Sequence, residues 1–284
     1  MNDTKDIISI KNYSYKYTGD STNTIKNINL DIKEGEFILL CGPTGCGKST
    51  LLKSIVGIMK NLYDGEESGS IQIENIDIKK LEMDKISQKV GFVFQDPENQ
   101  IFMFNVERDI AFGLENLGIE KDDIKKRIDD VVELPKIKKI INRAPHELSD
   151  GQKQRVALAG TLVMKPIVLI LDEPTSMLDP KTAYDFLMLL NDLKKNRNIT
   201  IIVVEHRLDL LIEIADRIVI MDKGKIWGNG HRKNIIEHNK NIIKSLGLPL
   251  ITQLSQKLNK EIKNIDTAFN AEELIKELEK NKNW

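Results

Sequence analysis

A chain that carries Gly42-Pro43-Thr44-Gly45-Cys46-Gly47-Lys48-Ser49-Thr50 has few folds open to it. The stretch reads G-x-x-x-x-G-K-S, a pattern that has meaning only between a strand and a helix. Both flanks are present. The largely apolar run Glu36-Phe37-Ile38-Leu39-Leu40-Cys41 leads in, and Leu51, Leu52, Ile55, Val56 and Met59 follow at helical spacing. Glycines at 42, 45 and 47 let the backbone curl with its N–H groups inward, and a helix starting near Lys48 adds the positive end of its dipole. Lys48 supplies a point charge for outer phosphates, and the Ser49 hydroxyl is placed to ligate Mg²⁺. The stretch predicts a nucleotide site.

The surrounding pattern predicts an α/β architecture. Residues 7–17 and 25–34 predict two strands of an antiparallel edge, with Ile28, Leu30 and Ile32 alternating with polar residues. Residues 60–69 predict a loop, and Ser70–Glu74 and Val90–Phe94 two more strands. From about 96 to 148 the character is helical, with breaks at Pro135 and Pro145, which predicts an inserted helical subdomain. A helix over 151–165, strand Ile167–Leu171, a helix over 180–196, strand Ile199–Val204, a helix near 208–215 and strand Ile218–Met221 follow. This alternation, without hairpin signatures, predicts a parallel sheet covered on both faces.

Residues 231–284 lose the strand pattern and read as a small helical appendage to a domain spanning 1–230. Leu254, Leu258 and Ile262 recur every four residues, and Asn270 with Glu273 makes a capped start for a helix carrying Leu274, Ile275 and Leu278. An arm packed on its own core and a dimerisation element are both open readings.

Bulk properties exclude several classes. Lys+Arg 42 against Asp+Glu 43 leaves a net charge of -1, so there is no electrostatic case for nucleic acid. Two cysteines, one inside the glycine-rich loop, fit a reduced compartment rather than a disulfide framework. Met1–Ile10 is charged throughout, unlike a signal peptide, and no window approaches the length of a membrane span. Any membrane role is expected through a partner.

Later motifs supply the rest of a hydrolytic site. Asp172-Glu173 follows a core strand, at the edge where α/β sheets bind ligands. Asp172 is suited to the Mg²⁺ shell and Glu173 to polarising a water as general base. Ser149-Asp150-Gly151-Gln152 opens a helix whose N–H groups face outward, ready for a second anion. Two such helix N-termini and one obvious nucleotide imply that the second serves another copy's nucleotide.

With these motifs in order, the chain resembles the ATP-binding subunits of ABC transporters over about residues 7–230. The resemblance implies a P-loop NTPase fold: a RecA-like core, an antiparallel β subdomain and an inserted helical subdomain. It implies that Tyr17, or less favourably Tyr15, stacks on adenine, and that Pro43, Thr44, Cys46 and Thr50 complete the ATP-binding loop. It implies that Gln95 touches Mg²⁺ or the attacking water and links the site to a transmembrane partner. Ser149, Gly151 and Gln152 would close over the partner's ATP, Asp179 would lie in a loop crossing the dimer interface, and His206 would contact the γ-phosphate. Asp150 departs from the family, whose signature usually has Gly there; the like charge calls for its carboxylate to turn to solvent or pair with a cation.

Phe94-Gln95-Asp96-Pro97-Glu98-Asn99-Gln100, Val106–Gly113 and Leu246-Gly247-Leu248-Pro249 further resemble the energy-coupling factor and cobalt-type importer ATPases. That resemblance implies a peripheral ATPase on the cytoplasmic face of the membrane. Its partners would be a second identical or homologous ATPase subunit, a transmembrane scaffold and a membrane substrate-binding subunit, serving uptake of a vitamin or metal ion. The competing reading is a module that dimerises on ATP and scarcely hydrolyses it. Cys46 is expected to react with thiol reagents and to be shielded by ATP.

Overall fold

In the computed structural model, residues 5–206, 211–238, 248–262 and 265–281 are described. Strands β1 (Asp6–Tyr17), β2 (Ile25–Lys33), β4 (Gly65–Ile73) and β5 (Ile76–Asp77) form an antiparallel sheet in the order β2-β1-β4-β5. The loop expected over 60–69 is half strand. Tyr17 pairs with Gly65, Lys16 with Glu66 and Tyr15 with Glu67. Gly-Glu-Glu-Ser-Gly hides this because it is polar on both faces and mostly exposed, so no alternation marks it.

The second sheet runs in the order β10-β9-β3-β8-β7-β6. Its members are β3 (Phe37–Cys41), β6 (Val90–Val93), β7 (Val168–Asp172), β8 (Thr200–Val204), β9 (Arg217–Asp222) and β10 (Lys225–His231). Five strands are parallel. The expectation of no hairpin fails at β10, which turns back antiparallel on β9 through Lys223 and Gly224, both at positive φ (46° and 80°). A lysine in the left-handed region is an uncommon turn residue, and Gly228 and Gly230 dilute the strand pattern.

The parallel strands are buried on both faces, and alternate residues feed two cores. Phe37, Leu39, Leu169, Leu171, Ile201 and Val203 join one, while Ile38, Leu40, Val168, Ile170, Ile202 and Val204 join the other. The second core is shared with the antiparallel sheet and α1 (Lys48–Ile55). The helix expected to run on through Met59 breaks at Gly57 (φ 74°) and resumes as α2 (Ile58–Leu62). A Cβ at 57 would lie 2.8 Å from Ile86 on α3 (Met83–Lys89), a helix with no counterpart in the sequence reading.

Between β6 and α6 (Asp150–Leu162) lie α4 (Val106–Asn116) and α5 (Lys121–Val132). Ile110, Leu114, Ile128 and Val131 join the first core, so this helical segment is packed continuously with the sheet. Helix α7 (Pro180–Arg197) follows β7. The helix expected near 208–215 starts outside the described residues.

The C-terminal part contains α8 (Arg232–His238), α9 (Leu250–Ile262) and α10 (Ala271–Lys280). Ile265, Ala268 and Leu274 form its small core, with Ile251, Leu258 and Leu278 against it. Leu254 and Ile275 are exposed, so the four-residue repeat is not the buried stripe; the side chain of Ile262 lies outside the described residues. Asn270 caps α10, accepting from the Glu273 N–H at 2.8 Å, as its spacing predicts. Arg232 clasps the appendage to the domain. It donates to the carbonyls of Ile212 (3.0 Å) and Glu213, pairs with Glu273 (3.2 Å), and stacks 4.7 Å over Phe269. Among the described residues no helix is long and apolar enough to cross a membrane.

Candidate nucleotide site

A cleft of about 460 Å³ lies at the C-terminal edge of the parallel sheet, lined by Thr24, Thr44, Gly45, Gly47, Lys48, Ser49, Thr50, Gln95, Glu173 and His206. Its floor is the glycine-rich loop between β3 and α1. Gly42 is dictated by close approach: a Cβ there would sit 2.1 Å from the Met221 carbonyl oxygen on β9. Gly45 is dictated by conformation, at φ 77° with no atom within 4 Å of its Cβ position, which leaves that side of the loop open to a ligand. Lys48 is buried, and its ammonium donates to the carbonyls of Gly42 (2.9 Å) and Pro43 (3.1 Å).

Strand β7 delivers the two carboxylates to the cleft in different environments. Asp172 is buried, and burial pushes its carboxyl above the usual range, against a hydrogen bond from Ser49 that pulls it down. Among the described residues its Oδ1 has no hydrogen-bond partner. A buried polar atom left so costs on the order of 1–3 kcal/mol, and sites that bear such a cost are where a ligand completes the shell. An orphaned carboxylate oxygen beside a hydroxyl is a donor set that fits a hard cation such as Mg²⁺.

Glu173 stands at φ 49°, a left-handed conformation that a non-glycine residue adopts only when its neighbours enforce it. Its N–H donates to Val204 at 3.0 Å. Its side chain accepts from Gln95 Nε2 at 3.0 Å on Oε2, and from His206 Nε2 at 2.8 Å on Oε1. Gln95 is held in turn because Gln100 accepts from the Phe94 N–H (3.2 Å) and donates to the Phe92 carbonyl (3.1 Å). Three residues drawn from positions 95, 173 and 206 thus meet at one point.

Tyr17 reaches the C-terminal side of the loop, with its hydroxyl 3.1 Å from that of Thr50. Its ring meets those of Tyr15 and Tyr63 edge-on. Tyr15 is only 2% exposed, which rules out the weaker adenine candidate: it belongs to the core. Cys46 is also buried, and burial pushes its thiol above the usual range, with Lys48 opposing. Both burial and the upward shift work against modification by a thiol reagent, since the thiolate is the reactive form.

Ser149, Gly151, Gln152 and Asp179 do not line the cleft. Ser149 donates its N–H to Gln152 Oε1 at 2.9 Å at the exposed start of α6. Asp150 is exposed, as its charge requires, and Lys153 lies in its field. Asp179 caps α7, accepting from the N–H groups of Lys181 and Thr182 at 3.1 Å each. The sequence reading missed Thr24, whose polar turn carries no motif. It also says nothing of Glu205, which is 3% exposed.

Residues 25–176, more than half of the chain, match the ABC transporter family. The chain belongs to that family. This ABC ATPase is 41% identical over 281 residues to the energy-coupling factor transporter ATP-binding protein EcfA2 of Clostridium tetani, covering 95% of this chain and 96% of that one. A putative ABC transporter ATP-binding protein of Methanosarcina mazei is 46% identical over 220 residues, 78% of this chain but 38% of that longer protein. The solved structure of cbiO1 from Clostridium perfringens, part of the ABC transporter complex cbiONQ, superposes with a TM-score of 0.76 at 35% identity, covering 91% of this chain and 96% of that one.

Proposed function

We propose that this ABC ATPase hydrolyses ATP to power an energy-coupling-factor type importer, moving a vitamin or transition-metal ion through membrane partners. Those partners are a transmembrane scaffold, a membrane substrate-binding subunit and a second ATPase, identical or homologous. The protein acts as a peripheral subunit on the cytoplasmic face. Residues 1–230 form the ATPase domain, with its helical subdomain at about 96–148, and 231–284 the appendage.

One observation carries the reading: Glu173 is gripped by Gln95 and His206 at the edge of a cleft floored by Lys48 and Ser49. A carboxylate so held is preorganised to accept a proton from water attacking a phosphate. His206 then faces the γ-phosphate, Lys48 the outer phosphates, and Tyr17 the adenine. Ser49, Asp172 and Gln95 would hold Mg²⁺, which offsets the charge developing on the phosphates. Ser149, Gly151 and Gln152 close on the ATP of the opposite subunit, and Asp179 lies in the loop between them.

The direct test is steady-state phosphate release by the purified chain, alone and with Glu173→Gln. Turnover that drops roughly 10²–10⁴-fold in the variant supports the reading. A wild-type chain that binds ATP but releases no phosphate supports the ATP-gated module in its place.

A further inference from the structure

Glu205 is almost wholly buried, yet it does not line the cleft. Its Oε1 accepts two hydrogen bonds from a single residue: the Thr175 N–H at 2.9 Å and the Thr175 hydroxyl at 2.6 Å. Thr175 is itself fully buried. Burial of a carboxylate is unfavourable, and two donors offset that only in part. An acceptor oxygen kept there at that cost points to what it holds.

The two partners flank the catalytic contact. Glu205 immediately precedes His206, and Thr175 lies two residues after Glu173. The Glu173 N–H is also tied to the Val204 carbonyl at 3.0 Å. Two successive laces, Glu173–Val204 and Thr175–Glu205, therefore join the chain leaving β7 to the chain leaving β8 immediately ahead of His206, whose side chain meets Glu173 at 2.8 Å. Among the described residues the second lace is what ties the segment after Glu173 to the end of β8 by side-chain hydrogen bonds, and a left-handed glutamate persists only where its surroundings over-determine it.

We propose that Glu205 is a positioning residue: through Thr175 it holds the Glu173 and His206 side chains in register for hydrolysis. The inference rests on the assignment of Glu173 as general base. Its effect belongs to the chemical step, because the Glu205 side chain faces Thr175 and not the ligand cleft.

The experiment measures kcat, KM for ATP and melting temperature for the full chain and for Glu205→Ala, Glu205→Gln, Thr175→Val and Glu173→Gln/Glu205→Ala. Glu205→Ala is expected to lower kcat roughly 10–100-fold, as small misplacements of reacting groups do, with KM within about threefold. Glu205→Gln keeps an acceptor oxygen for Thr175 and should recover most of the rate, within about threefold of wild type. Thr175→Val keeps one of the two bonds and should fall between them; it carries the test if the alanine variant does not fold. In the Glu173→Gln background, Glu205→Ala should add no further loss, since the geometry it serves is gone.

A kcat for Glu205→Ala within about twofold of wild type overturns the inference alone. So does a glutamine variant no better than alanine, or a loss that appears in KM and melting temperature without kcat. A wild-type chain without turnover overturns the functional reading, and this inference with it.

Discussion

Helices α1 and α6 begin alike and end up in opposite situations. Each presents backbone N–H groups and a positive dipole end at a tight polar turn, which is a ready anion site. Around the start of α1 the chain assembles Lys48, Ser49, Gln95, Glu173 and His206. At the start of α6, among the described residues, Ser149 and Asp150 are exposed, and Gln152 is turned back onto the Ser149 N–H. In the reading proposed above, a second chain supplies what the start of α6 lacks, and each prediction below tests that asymmetry.

The sharpest break is at Glu173. With Glu173→Gln, turnover should fall roughly 10²–10⁴-fold while ATP still binds at α1. Light scattering should then show an ATP-dependent shift to a dimer, with each α6 closed on the other chain's nucleotide. A chain that stays monomeric at saturating Mg-ATP would require a different, homologous partner for α6.

Ser149→Arg addresses the other terminus. In one chain the start of α6 does not line the cleft, so ATP affinity should stay within about threefold in a titration of the monomer. Hydrolysis and the dimer shift should both be lost, by roughly tenfold or more, because the arginine blocks the approach of a second subunit. A matching loss of monomer affinity would place α6 in the same site as α1 and erase the comparison.

A subtler test separates packing from ligand approach at Gly151. A Cβ there would sit 2.5 Å from the Thr182 methyl of the same chain. Gly151→Ala should therefore lower the melting temperature by overpacking, on the order of 1–3 kcal/mol, and Thr182→Ser should restore it. If hydrolysis returns together with stability, Gly151 serves α7. If it does not, the glycine also serves the partner's nucleotide.

These two termini also show what a sequence makes legible. The α1 site is nearly complete in the residues because its parts are short local patterns: a glycine loop between a strand and a helix, and a carboxylate pair at a strand end. Gln95 and His206 have no local signature, and only the family resemblance named them. Thr24, Thr175 and Glu205 escaped because their roles arise from contacts across the fold; Thr175 and Glu205 are separated by 30 positions and meet only when β7 and β8 lie side by side. The strand beginning at Gly65 and the hairpin at Lys223-Gly224 escaped for a related reason. Pairing with β1 and β9, not intrinsic pattern, makes them strands. Leu254 misled in the opposite direction: its spacing is helical, yet the buried side of α9 carries Ile251 and Leu258.

The smallest expected effect concerns charge, and it distinguishes the α1 side again. There a carboxylate is buried at Glu205, whereas at α6 the carboxylate of Asp150 is exposed. Burial pushes the Glu205 carboxyl above its ordinary value of 4.5, with the Thr175 bonds opposing and the Glu173 charge adding to the rise. Above pH 4.5 the unfolded chain has released that proton while the folded chain still holds it. The native state then binds more protons, so stability falls as pH rises through this window, and levels off once the folded carboxyl has ionised too. Glu205→Gln has no such proton to lose. Its melting temperature should therefore match that of wild type at about pH 4 and exceed it at neutral pH, the gap opening as pH rises through this window. Asp150→Asn should show no widening gap over the same range. If wild type melts higher than Glu205→Gln at neutral pH, the Thr175 bonds outweigh burial, and the carboxylate at 205 stabilises the fold it was expected to strain.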